Sequence, residues 1–155
     1  MEDLTVKALE AIGATYNRLD TAPLRPFLTN HTEWHSQDVF EVLRGADSIL
    51  DYLTGKFETL SKYPRSDHPL LVLAELPSDG PCLAIFQDEG GGSSYQTPVA
   101  LILVKHDDEA LTSISMCSIA PHPSQARLSR NYPGLTPEEG SKRMEAFLPG
   151  NDLKA

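Results

Sequence analysis

Apolar positions recur near every fourth residue over the first stretch of the chain. Leu4, Ala8, Ile12, Tyr16 and Leu19 make one stripe, and the spacing predicts a helix over residues 2–19. Gly13 lies inside it at a cost of about 1 kcal/mol relative to alanine. Asp20 and Thr21 end the helix, and Thr21-Ala22-Pro23 can open a short turn through Phe27 and Leu28. The pattern then shortens to strand length. Residues 32–36 and 39–43 read as two strands joined at Gln37-Asp38, and Gly45 breaks the extended run. A second amphipathic helix is predicted over 46–62, with Ile49, Leu53, Phe57 and Leu60 on its buried side and Leu50 and Tyr52 at the edges. Asp47 sits in its first turn, where a negative charge meets the positive end of the helix dipole. Pro64 prevents continuation.

From there the chain is rich in strands, predicted over 68–76, 81–87, 95–106 (interrupted early by Pro98) and 111–119. Pro77-Ser78-Asp79-Gly80, a glycine-rich loop over 88–94 and Asp107-Asp108-Glu109 separate them. Helix, strand pair, helix and a four-strand meander together predict an α+β fold, with helices on one face of a curved antiparallel sheet. The late strands are apolar on both faces: Val99, Leu101 and Leu103 alternate with Ala100, Ile102 and Val104. A sheet with one wet face would alternate apolar with polar. Both faces therefore need cover, the helices supply one, and a second subunit is expected over the other, as a homodimer through the sheet.

After Pro121 the character changes. Arg127 and Arg130 make a basic stretch, and Thr136-Pro137-Glu138-Glu139 is a capping box with proline at the first helical position. The expected organisation is an α+β domain over 1–120 and a C-terminal extension over 121–155 carrying a short helical tail at about 136–148. That helix has a small apolar side of Met144, Phe147 and Leu148.

At 155 residues, 40% hydrophobic and 23% charged, the chain suits one soluble domain with a sizeable core. Its net charge of -9 opposes a nucleic-acid partner, which needs clustered Lys and Arg. No stretch approaches the roughly 20 apolar residues of a membrane span. The opening M-E-D-L-T-V-K has acids where a secretory signal needs basic and then apolar residues, so a cytoplasmic protein is expected. Cys82 and Cys117 read as small buried hydrophobes with reduced thiols.

Candidate chemistry is sparse. Trp34 shares a strand face with Thr32 and Ser36, either as core filler or as the wall of a pocket with its indole N–H as donor. His31 and His35 lie about 13 Å apart on an extended strand, too far to share a metal, and no metal site is expected. His35 reads as a general base or as a rim histidine. Asp38 reads as an acid/base, if burial raises its pKa, or as a turn cap. Tyr16 and Tyr52 offer hydroxyls from apolar helical stripes. Glu75 and Gln87 either turn polar atoms into a pocket or end their strands in water. The loop Asp88-Glu89-Gly90-Gly91-Gly92 lacks the helix and lysine of a phosphate loop and reads as a mobile hairpin loop, a candidate lid.

The first helix, the Trp34-bearing strand, the strand ending Leu43-Arg44-Gly45 and the helix carrying Ser48-Ile49-Leu50-Asp51-Tyr52-Leu53 together resemble the nuclear transport factor 2-like superfamily. That superfamily includes the SnoaL-like and ketosteroid-isomerase-like proteins. The resemblance spans roughly residues 4–119. It implies a cystatin-like cone, with a curved sheet of about six strands wrapped around helices, a conical pocket between them, and in many members a dimer. The isomerases carry a catalytic aspartate on the first strand. Matching by distance to Gly45 lands on His35-Ser36, with Asp38 the nearest carboxylate. Tyr16 lies on the helix that supplies the isomerases' tyrosine, and the pocket-side candidates on later strands are Ser115 and Cys117.

The expected function is a SnoaL-like small-molecule-binding protein with an apolar conical pocket lined by Tyr16, Trp34, Ser36, Tyr52, Phe57, Glu75, Gln87 and Ser115. Any chemistry is expected to be cofactor-free isomerase, cyclase or dehydratase proton transfer by Asp38 or His35, with Tyr16 as donor, on an apolar or aromatic metabolite. The alternative is a non-enzymatic module that binds a protein partner through the sheet face or the C-terminal helix. A fold of this kind hosts both.

Overall fold

The computed structural model describes residues 3–37, 39–87 and 97–147. Asp38 and most of the glycine-rich loop lie outside the described residues. The predicted elements follow in order, with one short strand, β7, added before the last helix: α1 (Leu4–Arg18), β1 (Glu33–Ser36), β2 (Val39–Arg44), α2 (Ala46–Leu60), β3 (Leu70–Leu76), β4 (Gly80–Phe86), β5 (Ala100–His106), β6 (Leu111–Cys117), β7 (Arg127–Leu128) and α3 (Pro137–Met144). Strand order in the sheet is β2-β1-β6-β5-β4-β3-β7. The meander from β3 to β6 is antiparallel, and β1 joins it parallel to β6. No described helix is long and apolar enough to cross a membrane.

Gly45 ends β2 and caps α2 at φ 92°, a left-handed conformation that favours glycine. Its N–H donates to the Thr32 carbonyl at 2.8 Å, which fixes where α2 leaves the sheet. The Thr32 side chain, fully buried, donates to the Leu111 carbonyl at 2.6 Å and ties the same corner to β6.

Strand alternation builds two cores. Leu71, Leu83, Ile85 and Ile102 face α1 and α2 and pack with Leu9, Ile12, Ile49 and Leu53. Leu70, Val72, Cys82, Ala84, Phe86 and Leu101 face the other way. The cover on that second face is the chain's own extension: Tyr132, Met144 and Phe147 complete the second core, with the Phe86 and Phe147 rings 5.8 Å apart. The apolar second face needs cover, and over β3 and β4 the chain's own extension supplies it.

Close backbone approach makes the docking of the extension possible. Pro133 sits against Gly13 of α1, where an added Cβ would lie 2.7 Å from the Pro133 Cγ. The glycine that weakens α1 is thus the notch that receives the extension. Gly140 of α3 lies directly against the Tyr132 ring, and a Cβ there would overlap it. Gly55, on the outer side of α2, meets nothing within 4 Å.

These glycines predict opposite signs for one chemical change. Gly55→Ala should stabilise the protein by about 0.5–1 kcal/mol through helix propensity alone. Gly140→Ala should destabilise it by about 1–3 kcal/mol, because the Tyr132 ring must leave its seat in the second core. Urea unfolding of the two variants beside the wild type measures both. A stabilised Gly140→Ala protein would show that α3 does not dock as described.

Candidate functional site

Four aromatic side chains meet between α1, α2 and β1. Tyr16 stacks on Trp34 at 6.4 Å with the planes 26° apart. Phe57 meets Tyr16 edge-on at 5.5 Å, and Tyr52 lies 6.2 Å from Trp34. Helical spacing puts Tyr52 and Phe57 on adjoining flanks of α2, and strand parity turns Trp34 inward from β1. Within the described residues the cone is filled here: Tyr16 is 1% exposed, Trp34 4% and Phe57 6%. Tyr52, at 42%, stands at the rim.

The Tyr16 hydroxyl is buried and has no hydrogen-bond partner. An unpaired buried hydroxyl costs about 1–3 kcal/mol. The Thr15 hydroxyl is also buried without a partner, but a helical threonine can turn onto the carbonyl four residues back, an option a tyrosine lacks. Burial, with a smaller contribution from Tyr52, pushes the Tyr16 phenol far above its ordinary value, so it remains a neutral donor at any physiological pH.

Lys56 was missed in the sequence reading. Its Nζ lies 5.6 Å from the centre of the Tyr16 ring and 6.0 Å from that of Tyr52. Burial holds its ammonium below the usual lysine value. The signal available in sequence was its place one helical turn after Tyr52, which stacks the two side chains on one flank of α2. Outside them an open groove of about 560 Å³ runs along α2, lined by Asp51, Tyr52, Gly55, Lys56, Thr59 and Leu60.

The other expected site residues lie elsewhere. His35 neighbours Trp34 on β1 and so points to the opposite face, where its Nε2 is 3.0 Å from Glu33. Glu33 also accepts from Arg44 Nε at 2.9 Å; Arg44, then His35, holds its carboxyl below the usual range. Ser115 pairs in register with His35 and Leu103 and shares their outward face, so it does not line the cone. Cys117 follows the same parity, paired with Leu101 of the second core. Ser36 shares the Trp34 face and is half-buried at the end of β1. Glu75 is exposed near the end of β3, pairs with Arg127 in β7 and lines a separate groove. Gln87 is half-buried just beyond β4. Among the described residues no three His, Cys, Asp or Glu side chains are grouped to hold a metal. The structure therefore brings together Tyr16, Trp34, Tyr52 and Phe57, adds Lys56, and leaves His35 and Ser115 behind the sheet.

No protein-family model matches the chain, and no curated protein matches it. Solved structures do. A de novo designed protein with a curved β-sheet is 6% identical at a TM-score of 0.52, over 77% of this chain and 89% of that one. Bal32a, from a soil-derived mobile gene cassette, is 13% identical at 0.51, over 79% and 97%. A protein with a ketosteroid isomerase-like fold from Catenulispora acidiphila, solved in complex with trimethylamine, is 13% identical at 0.44, over 89% and 98%. At these identities the likeness is one of fold.

The state of Tyr16 gives a measurable consequence. Tyr16→Phe removes an unpaired hydroxyl, so it should stabilise the protein by about 1 kcal/mol at pH 7. The raised phenol adds a pH dependence. Its contribution to stability is intact below the unfolded value of about 10 and is lost as pH rises above it, because only the unfolded chain then releases the proton. The advantage of Tyr16→Phe should therefore grow by about 1.4 kcal/mol between pH 7 and 11. Chemical denaturation across that range reads it; a variant less stable than wild type at pH 7 would mean that the hydroxyl has a partner.

Proposed function

We propose that this chain, which has the nuclear transport factor 2-like fold, binds a small aromatic or apolar molecule in the cone through one acceptor atom presented to the Tyr16 hydroxyl. The observation that carries this reading is that hydroxyl, fully buried and unpaired among aromatic rings. Trp34 and Phe57 offer flat apolar walls, and a single hydrogen bond from Tyr16 fixes orientation, the usual division of labour in a small-molecule site. Tyr52 and Lys56 stand between Tyr16 and the open groove on α2. A ligand arriving from the groove displaces these two side chains and takes over their contacts with the Tyr16 ring.

Binding, and not proton transfer, is the function proposed. A neutral phenol is a donor and not a base at physiological pH. No carboxylate or imidazole among the described residues is hydrogen-bonded to Tyr16. A cofactor-free isomerase, cyclase or dehydratase needs such a base within reach, and His35 points away from the cone. Asp38, the other candidate, lies outside the described residues.

A second reading is favoured by the filled interior. If Tyr16, Trp34 and Phe57 are core, the domain serves as a non-enzymatic module for a protein partner. The C-terminal helix already spends Met144 on its own second core. The surface left to a partner is then the β1–β6 end of the outer face.

One titration separates the two. Trp34 is the single tryptophan of the chain and stacks on Tyr16, so its fluorescence reports the site. With 2-acetylnaphthalene, which carries a carbonyl acceptor, saturable quenching is expected, weakened about tenfold in Tyr16→Phe by loss of one hydrogen bond. Naphthalene, which has no acceptor, should bind both proteins alike. Equal affinity of the ketone for both proteins would remove Tyr16 from the reading. Absence of saturable quenching by either probe would overturn it in favour of the filled module.

A further inference from the structure

A second cavity lies where α3 meets the turn before β3. Its volume is about 330 Å³, and its wall combines Ala146 and Phe147 with Arg65, Lys142 and Arg143. In a chain of net charge -9, three cations in one cavity are a local reversal of sign. The carboxylate on the wall is Glu139, which offsets part of that charge through Arg65 and Arg143 and is also tied into α3. Its side chain accepts from the Thr136 backbone N–H at 3.0 Å, closing the capping box of α3. Neither Arg65 nor Arg143 is ion-paired with a carboxylate among the described residues, and Lys142 makes no hydrogen bond or ion pair there.

The two arginines have structural work. Arg65 donates to the Asn17 carbonyl at 3.3 Å. Arg143 donates to the carbonyls of Asn17, His68 and Pro69 at 3.4, 3.4 and 3.0 Å. Those bonds satisfy carbonyl oxygens but neutralise no charge. Burial and the nearby Arg65 pull the Arg143 guanidinium down to about 10. A staple for the end of α1 explains the arginines. It does not explain Lys142, nor the apolar wall beside three cations.

We infer that this cavity binds a monoanionic amphiphile, an aryl or short acyl chain ending in a carboxylate or sulfonate, with the ring or chain against Ala146 and Phe147 and the anion between Lys142 and the two arginines. The volume suits a ligand of that size. Charge complementarity selects the anion, and the weakly hydrated, forked guanidinium suits a carboxylate or sulfonate. The site is separate from the cone and owes nothing to Tyr16.

The test uses 8-anilinonaphthalene-1-sulfonate and its neutral counterpart N-phenyl-1-naphthylamine, which share their rings and differ in charge. At the site that Ala146→Trp removes, the full-length protein should bind the sulfonate saturably and prefer it at least tenfold over the neutral amine. Octanoate should displace it and octan-1-ol should not. Lys142→Glu, at an exposed position without a partner, should weaken sulfonate binding about tenfold. Ala146→Trp should fill the cavity and abolish it. Both variants should keep the wild-type circular dichroism and melting temperature, so that loss of binding is not loss of fold. Tyr16→Phe should leave sulfonate binding unchanged, which keeps this result distinct from that of the cone. Equal binding of the neutral amine at the site that Ala146→Trp removes overturns the inference, as does sulfonate binding indifferent to Lys142→Glu or to Ala146→Trp.

Discussion

Asn17 buries its side-chain amide where three parts of the chain meet, and each of its bonds satisfies a backbone group that has no other partner on that side. Its Nδ2 donates to the carbonyls of Leu71 and Pro133, both at 2.9 Å, and its Oδ1 accepts from the Leu71 N–H at 2.8 Å. Leu71 lies near the start of β3, on the edge that β4 leaves unpaired. Two residues on, Leu73 pairs the same edge with Asn131 and Ser129 of the extension. The amide of Asn17 therefore continues the strand edge by one side chain, from a helix. An apolar residue in its place would leave one N–H and two carbonyls buried and unpaired, at about 1–3 kcal/mol each. That is a large share of the 5–15 kcal/mol by which a domain of this kind is stable. The backbone carbonyl of the same residue collects Arg65 and Arg143. The end of α1, the edge of β3, the extension and α3 are thus registered on one another through a single residue.

That registration explains what covers the second apolar face over β3 and β4. The Tyr132-Pro133-Gly134 segment runs close against α1, with Pro133 in the Gly13 notch and Gly134, at φ 79°, where a Cβ would lie 2.8 Å from the Ala14 Cα. Only glycine permits both the conformation and the approach. Once the segment is seated, α3 is carried over the second face, and Met144 and Phe147 reach Phe86. The tail that reads as an appendage is part of the core.

Element order was legible because its signals are local. Gly45, Pro64 and the Pro77-Gly80 turn punctuate runs whose periods are clear, and the capping box marks the start of α3. The packing of the extension was not legible, since its buried apolar residues, Tyr132, Met144 and Phe147, are few and separated by turns. Asn17 reads as a polar outlier beside an apolar stripe, because its partners are more than 50 residues away. Of the site, the ring cluster followed from helical and strand parity. Ser115 did not, and the reason is specific. Counting by two from Leu111 puts residues 113, 115 and 117 inward, yet both Leu111 and Ile114 belong to the first core. The pairing of β5 with β6 shifts by one residue at Lys105 and His106, opposite this stretch, and parity inverts across the irregularity. A bulge of one residue has no sequence signature here, and it moved Ser115 and Cys117 to the other face.

The cone poses a question of composition that burial alone does not answer. A filled core has no use for the Tyr16 hydroxyl, since phenylalanine fills nearly the same volume without an unpaired polar group. Nor does it need Lys56 half-buried against the Tyr16 and Tyr52 rings, where burial weakens the hold on its proton. The unpaired hydroxyl costs stability in the free protein, and Lys56 lies over the ring that carries it. Both features adjoin the open groove on α2, which Tyr52 and Lys56 line.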